Sequence, residues 1–193
     1  MKRLLIILCI LLFVTPCLAN QIIIGKKKAA ATCSVATNEL GTRGDGLSNS
    51  YAGENVMECN LWEPDCSGKL YTAYLRHRGT GTDYAKICVY TDDGDSAPDA
   101  GDSLLVCSGV ITGNENEVWE SAAMTSNPSV STGTNYWVCM IGDTSAWNYY
   151  YNTGVARKNQ TVAGSYASPP SDLTGTWNNS ANYQISMYVT VGD

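Results

Sequence analysis

A cluster of aspartates is the first group of residues in this chain that could do chemistry. Five lie within one short stretch, and they are Asp92, Asp93, Asp95, Asp99 and Asp102. A Ca²⁺ ion takes roughly six to eight oxygen ligands, which carboxylates supply well. The sequence therefore predicts a candidate calcium site at these five aspartates, with calcium as the candidate cofactor. The alternative is a solvated turn, because aspartate side chains also bind backbone N–H groups.

Aromatic side chains form a second candidate site. Trp147, Tyr149 and Tyr151 alternate along the chain, so on a strand they share one face, and Trp177 follows in TGTWNNS. Tyrosine and tryptophan offer a flat apolar ring to a sugar and a polar tip to its hydroxyl groups. We therefore predict that these four residues bind a glycan or a cell-surface ligand. The alternative is that the same rings pack in a core.

The sequence does not predict an enzyme. Ser103 lies in the block Gly101-Asp102-Ser103-Leu104, which gives one family of lipases and esterases its name. A serine nucleophile needs a base to take its proton, usually a histidine. That family carries its histidine near the C-terminus, whereas the only histidine here, His77, lies upstream of Ser103. We therefore expect no catalytic residue.

The N-terminus has the pattern of an export signal. Lys2 and Arg3 precede an apolar run from Leu4 to Val14, and the small Ala19 stands at a suitable cleavage point. The run is shorter than the ~20 apolar residues that a membrane-spanning helix needs. We predict that residues 1–19 are a signal peptide, and that the mature protein is extracellular with no membrane span.

Six cysteines remain after this leader, an even number that predicts three disulfides in an oxidising compartment. Sequence alone leaves several pairings open. Cys59–Cys66 is predicted because it closes a short ring around a proline turn, and Cys88–Cys107 because it crosses a hairpin. Cys33–Cys139 follows by elimination.

The charge balance argues against nucleic acid as a partner. Removing Lys2 and Arg3 from the 12 basic side chains leaves 10 against 18 acidic ones, a net charge of −8. Such an excess of negative charge repels a phosphate backbone.

We expect an N-terminal extension or edge strand at residues 20–34, followed by one domain at residues 35–193.

Strand patterns recur through that domain. Asn135–Gly142 is apolar throughout and predicts a central strand covered on both faces, whereas Tyr183–Val191 alternates and predicts one buried and one wet face. Gly113–Ala123 is ambiguous, and we favour a strand or an irregular crossing there. The predicted strands are Val56–Leu61, Lys69–Arg76, Ala85–Tyr90, Leu104–Val110, Asn135–Ile141 and Tyr183–Val191. The class is all-β, an antiparallel β-sandwich stapled by disulfides.

Three segments occur in a familiar order: AKICVYTDDGDSAPDAGDSLLVCSG, NYWVCMIG and NYQISMYVTVGD. From about Asn55 to the C-terminus this order resembles the jelly-roll β-sandwich domains of secreted bacterial and phage-associated proteins. The positions that carry the resemblance are Tyr90, Asp93, Gly94, Pro98, Leu104, Leu105, Tyr136 and Trp137. The resemblance implies a jelly-roll-like sandwich, and many such domains bind carbohydrate or attach to surfaces.

Two functions are therefore expected. The first is a secreted, non-catalytic binding module for carbohydrate or a cell-surface ligand. The second is a structural subunit of an extracellular filament or surface assembly. In that case Ile22–Ile24 would add as a strand to the sheet edge of the next copy and so drive self-assembly.

Overall fold

The structure is a computed structural model that describes residues 33–46, 48–51, 53–97, 99–144, 147–163, 165–174 and 178–193. For residues 51, 154–163 and 178–182 it describes the backbone only. The predicted signal peptide, and residues 20–32 of the predicted extension, lie outside the described residues. Residues Cys33–Asp193 form one compact unit.

The described part of the chain is all-β, and its strand pairs are antiparallel. No helix long and apolar enough to cross a membrane occurs among these residues. The strands are β1 (Glu39–Gly41), β2 (Ser48–Tyr51), β3 (Val56–Trp62), β4 (Gly68–Arg78), β5 (Tyr84–Thr91), β6 (Leu104–Cys107), β7 (Ile111–Thr112), β8 (Val118–Ala123), β9 (Ser129–Val130), β10 (Tyr136–Gly142), β11 (Asn148–Ala163), β12 (Asn178–Ile185) and β13 (Met187–Gly192).

The strands form two packed layers. One layer has the order β1-β13-β4, with β8 along the other edge of β4, and the other has the order β3-β10-β5-β6. Strand β11 joins the layers, because Asn148 and Tyr149 pair with β4 whereas the stretch from Asn159 to Ala163 pairs with β3. The predicted class, an antiparallel β-sandwich held by disulfides, is confirmed.

Strand β10 is buried on both faces, as its apolar sequence predicts. It lies between β3 and β5. Val138 and Met140 point into the core between the two layers, whereas Trp137 and Cys139 belong to a second hydrophobic cluster on the opposite face. Because both faces are apolar, the outer one also needs cover.

Residues 165–174 contribute to that cover. Leu173 is fully buried in the second cluster, and Tyr166 packs against it. The Tyr90 hydroxyl donates a hydrogen bond to the Pro170 carbonyl over 3.0 Å. The segment is therefore fixed to the β3-β10-β5-β6 layer by both burial and hydrogen bonding.

Four cysteines form one row across this layer. Cys139 of β10 lies directly opposite Cys59 of β3 on one side and Cys88 of β5 on the other, and Cys88 lies opposite Cys107 of β6. The bonds within the row are Cys59–Cys139 and Cys88–Cys107. The predicted pairing of Cys88 with Cys107 across a hairpin is confirmed.

The other two predicted pairings are wrong. Cys33 bonds Cys66, so the expected Cys59–Cys66 and Cys33–Cys139 bonds do not form. The reason is that β3 stays extended beyond Cys59 to its end at Trp62, which carries the chain away from a short ring. Strand register then places Cys139 directly opposite Cys59.

The closing strand also differs from its prediction. It breaks at Ser186, whose N–H donates to the Tyr150 carbonyl over 2.8 Å, so that β12 and β13 are separate. All six residues of β13 are buried, including Tyr188 and Thr190 on the face expected to be wet. Side chains from neighbouring strands cover that face.

His77 of β4 is a buried histidine without polar support. Its side chain is fully buried, and its ring packs on Trp147 with centroids 4.2 Å apart. Within the described residues, neither ring nitrogen has a hydrogen-bond partner. Burial disfavours the charged imidazolium and lowers the pKa of His77 to about 4.

The row of cysteines allows a matched test of loop entropy. The Cys59–Cys139 bond spans 80 residues and encloses the Cys88–Cys107 bond, which spans 19. A longer closed loop restricts the unfolded chain more, so C59A/C139A should lose about 1 kcal/mol more unfolding free energy than C88A/C107A. Urea denaturation at pH 7 measures both losses. Equal losses, or a larger loss for C88A/C107A, would contradict this expectation.

His77 should make the fold sensitive to acid. Between pH 6.5 and about 4 the unfolded chain binds a proton at His77 and the folded chain does not, so stability falls as pH falls. We expect H77F, which keeps a ring against Trp147, to reduce this loss by on the order of 2 to 3 kcal/mol. Urea denaturation of both proteins at pH 7 and pH 4 measures the difference. Parallel losses in the two proteins would contradict this role.

Candidate functional site

The aromatic platform predicted from the sequence is not an exposed surface. Trp147 is 1% exposed and Tyr149 is 3% exposed, and both belong to the core between the layers. Tyr151 is half-buried against Tyr183, with ring centroids 4.3 Å apart. Burial therefore contradicts the platform at Trp147 and Tyr149, because these rings fill the interior. Trp177 lies outside the described residues.

The acidic loop has the structure of a turn. Carboxylate oxygens of Asp92, Asp93 and Asp95 lie within 4.8 Å of one another. Each residue also accepts a backbone N–H: Asp92 from Ser96, Asp93 from Asp95, and Asp95 from Ala97. These bonds account for the aspartates as turn-forming residues. Calcium binding stays a prediction from the sequence.

Asp102 anchors the end of this loop. Its carboxylate is buried and accepts hydrogen bonds from the N–H groups of Asp93 and Asp99, at 3.0 and 3.1 Å. Its own carbonyl accepts from the N–H of Leu173. Burial, which outweighs these bonds, raises the pKa of Asp102 to about 6. Asp99 caps the N–H of Gly101 instead of facing the other three carboxylates.

A different group of aromatic rings lies on the outer surface of the β1-β13-β4-β8 layer. Tyr74 of β4, Trp119 of β8 and Tyr188 of β13 form what we call the outer aromatic cluster. The rings of Tyr74 and Tyr188 stack with centroids 4.6 Å apart and planes 8° from parallel, and Trp119 tilts against Tyr188 at 5.4 Å. Tyr188 is buried beneath, whereas Tyr74 and Trp119 are half-buried and reach the surface.

Strand alternation explains why these residues face outward. Ala73 and Leu75 of β4 are fully buried in the core, so Tyr74 and Arg76 must point to the other side. Register places Tyr188 directly opposite Tyr74 across the β13–β4 pair. A directly opposed aromatic pair stabilises a sheet by roughly 0.2 to 1 kcal/mol.

Arg43 covers the buried ring of the cluster. Its guanidinium carbon lies 4.7 Å from the centroid of Tyr188, and Glu39 accepts a hydrogen bond from its Nε. This bond raises the pKa of Arg43 further above its usual value. The chain can approach Tyr188 because Gly41 stands opposite it with φ at +127°, where a Cβ would lie 2.6 Å from the Tyr188 Cα.

Arg76 flanks the cluster on the other side. It forms ion pairs with Glu117 and, at 3.1 Å, with Asp45. Its guanidinium carbon also lies 5.2 Å from the ring centroid of Tyr150, a buried tyrosine whose pKa is raised chiefly by burial. Both arginines beside the cluster are therefore engaged by carboxylates, while each keeps further N–H groups.

A shallow pocket of about 460 Å³ adjoins the cluster at Tyr74. Four of its six lining residues carry a hydroxyl group, and the Tyr71 hydroxyl donates to the Asp193 carbonyl over 2.7 Å. The volume lies in the range of small-ligand sites, roughly 300 to 1,000 Å³. The lining residues are Val35, Tyr71, Thr72, Tyr74, Thr190 and Asp193.

The pocket and the cluster together combine ring faces with hydrogen-bonding groups. Sequence reasoning missed both of their surface rings, although it placed Tyr74 on a predicted strand. The available signal was the alternation in KLYTAYLRHR, whose small and apolar Ala73 and Leu75 leave Tyr74 and Arg76 on one outer face. Trp119 was hidden because its segment had mixed helix and strand propensity.

Comparison with known proteins gives no family assignment. No protein-family model matches the chain, and a search of curated proteins finds no similar sequence.

Asp102 provides a direct check of the loop geometry. Because the pKa of Asp102 is raised, the folded chain keeps a proton on this carboxyl at pH values where the unfolded chain has lost it. The contribution of this group to the free energy of unfolding is therefore lost as pH rises from about 4 to about 6. A carbon-detected NMR titration should give an Asp102 midpoint near 6, well above the usual value of 3.8. D102N should also remove the pH dependence of stability that this group supplies. An Asp102 midpoint near 3.8 would show that the carboxyl is not buried as described.

Proposed function

We propose that this protein is a secreted, non-catalytic module that binds carbohydrate, either as a free glycan or as part of a cell surface. The observation that carries this proposal is the outer aromatic cluster beside a hydroxyl-lined pocket. Tyr74 and Trp119 reach the surface, and Tyr74 also lines the pocket. A sugar has apolar C–H faces that pack on such rings and hydroxyl groups that bind polar side chains.

The polar groups fit this kind of ligand. Thr72 and Tyr71 line the pocket with side chains that carry hydroxyl groups, and Asp193 brings a carboxylate. The Thr190 hydroxyl, which also lines the pocket, hydrogen-bonds to the backbone of Thr72. Arg43 packs on the ring of Tyr188, which also stacks with Tyr74, and the Arg43 side chain is 48% exposed. Hydroxyl, carboxylate and guanidinium groups can all bind sugar hydroxyls.

Export supports the same proposal. The N-terminal signal pattern and three disulfides suit an oxidising extracellular compartment. The resemblance to jelly-roll domains favours a binding module on a rigid sandwich. The alternative structural subunit stays a prediction, because Ile22–Ile24, which would add to the next copy, lie outside the described residues.

Loss of the surface rings should abolish most of the binding. We expect Y74A and W119A each to weaken the affinity for the best glycan of a screened panel about tenfold, because each removes a stacking ring worth about 1.4 kcal/mol. Isothermal titration calorimetry measures the affinities, and circular dichroism confirms folding. Y74F, which keeps the ring, should bind nearly as well as the wild type.

Y84A is the matched control, since Tyr84 is an exposed tyrosine on β5 of the other layer. It should leave the affinity unchanged. Loss of binding in Y84A together with unchanged binding in Y74A and W119A would place the site elsewhere.

A further inference from the structure

We infer that the outer aromatic cluster selects neutral sugars and rejects anionic ones, an inference that rests on the proposed carbohydrate-binding function. The selecting element is the set of carboxylates around the cluster. Each arginine beside the rings is engaged by an acidic side chain, and the adjoining pocket contains one more.

The local charges give a negative balance. Arg43 and Arg76 supply two positive charges at the cluster. Arg78, two residues along β4 on the same outer face, adds a third positive charge. Four carboxylates oppose the three arginines: three in ion pairs with Arg43 and Arg76 and one in the pocket, which makes a local sum of 3 − 4 = −1. These carboxylates are Glu39, Asp45, Glu117 and Asp193.

The charge of the whole folded unit has the same sign. Residues 33–193 contain 7 of the 12 basic side chains and all 18 acidic ones, a net charge of 7 − 18 = −11. A uronate or sialylated glycan would meet this field on approach and would then compete with Glu39 and Glu117 for the arginines. A neutral sugar has no such cost, because its hydroxyl groups can bind the N–H groups that the ion pairs leave unused.

Arg76 is the arginine whose pairing can be changed most cleanly. It lies between Glu117 and Asp45, and replacing both carboxylates by their amides keeps side-chain size while it frees the guanidinium charge. The same two substitutions remove two negative charges from the surface. Both effects should favour an anionic sugar and leave a neutral one nearly unchanged.

The experiment compares glycans that differ only at the C6 carbon, which is a hydroxymethyl group in one and a carboxylate in the other. Suitable pairs are linear β-mannan with β-polymannuronate, and cello-oligosaccharides with their C6-oxidised forms. The oxidised, secreted protein is titrated with each at low and at physiological salt. We expect the neutral member of the bound pair to bind at least tenfold more tightly at low salt, with a smaller ratio at higher salt because ions screen the repulsion.

In the variant D45N/E117Q, the ratio of the affinity for the neutral glycan to the affinity for the uronate should fall at least threefold. The fall should come chiefly from tighter binding of the uronate. The matched control is E54Q/E63Q, which removes two exposed carboxylates that do not contact the cluster. It should leave the ratio close to that of the wild type.

The outcomes separate the two claims. A uronate bound as tightly as its neutral partner, or more tightly, overturns the selectivity for neutral sugars while the proposed carbohydrate binding stands. A ratio that changes equally in D45N/E117Q and E54Q/E63Q also overturns it, because net charge alone would then explain the selection. Failure of every glycan to bind the wild type overturns both claims.

Discussion

The structure depends on the burial of β10 on both of its faces. An apolar strand with no wet face must have neighbours on each edge and a cover above and below, and the fold supplies all four. One cover is the opposite layer of the sandwich, and the other includes residues 165–174. The same central position explains the disulfides, because Cys139 has a cysteine of β3 on one side and a cysteine of β5 on the other.

The outer aromatic cluster lies on the other layer. Strand β10 of the β3-β10-β5-β6 layer is apolar on both faces, whereas the β1-β13-β4-β8 layer buries only one side in the core. Its free side carries the stacked Tyr74 and Tyr188, with Trp119 and two arginines beside them. Cross-strand register sets the relative positions of Tyr74 and Tyr188, which both lie on strands and not in loops.

Local pattern predicted much of the fold and little of the site. The two-residue period of β5 and the apolar run of β10 correctly gave strands, their hairpin partner and the Cys88–Cys107 bond. Pairings between distant segments depend on strand order and register, which sequence alone did not determine. For that reason Cys59 was assigned to the nearby Cys66 when its real partner is Cys139. Likewise, the density of aromatic residues around Trp147 predicted a ligand-binding surface there, although such a run can equally well fill a hydrophobic core.

Carbohydrate binding at the outer aromatic cluster can be tested by an NMR map of the site that assumes no residue in advance. Amide and indole N–H shifts of the oxidised, isotope-labelled protein are recorded while the best neutral oligosaccharide from the screen is titrated. Binding at the outer aromatic cluster should give saturable shifts at the Trp119 indole and at the amides around Tyr74 and Thr190, with the Asp92–Asp102 loop unchanged. Shifts confined to that loop or to the β3-β10-β5-β6 layer would contradict it.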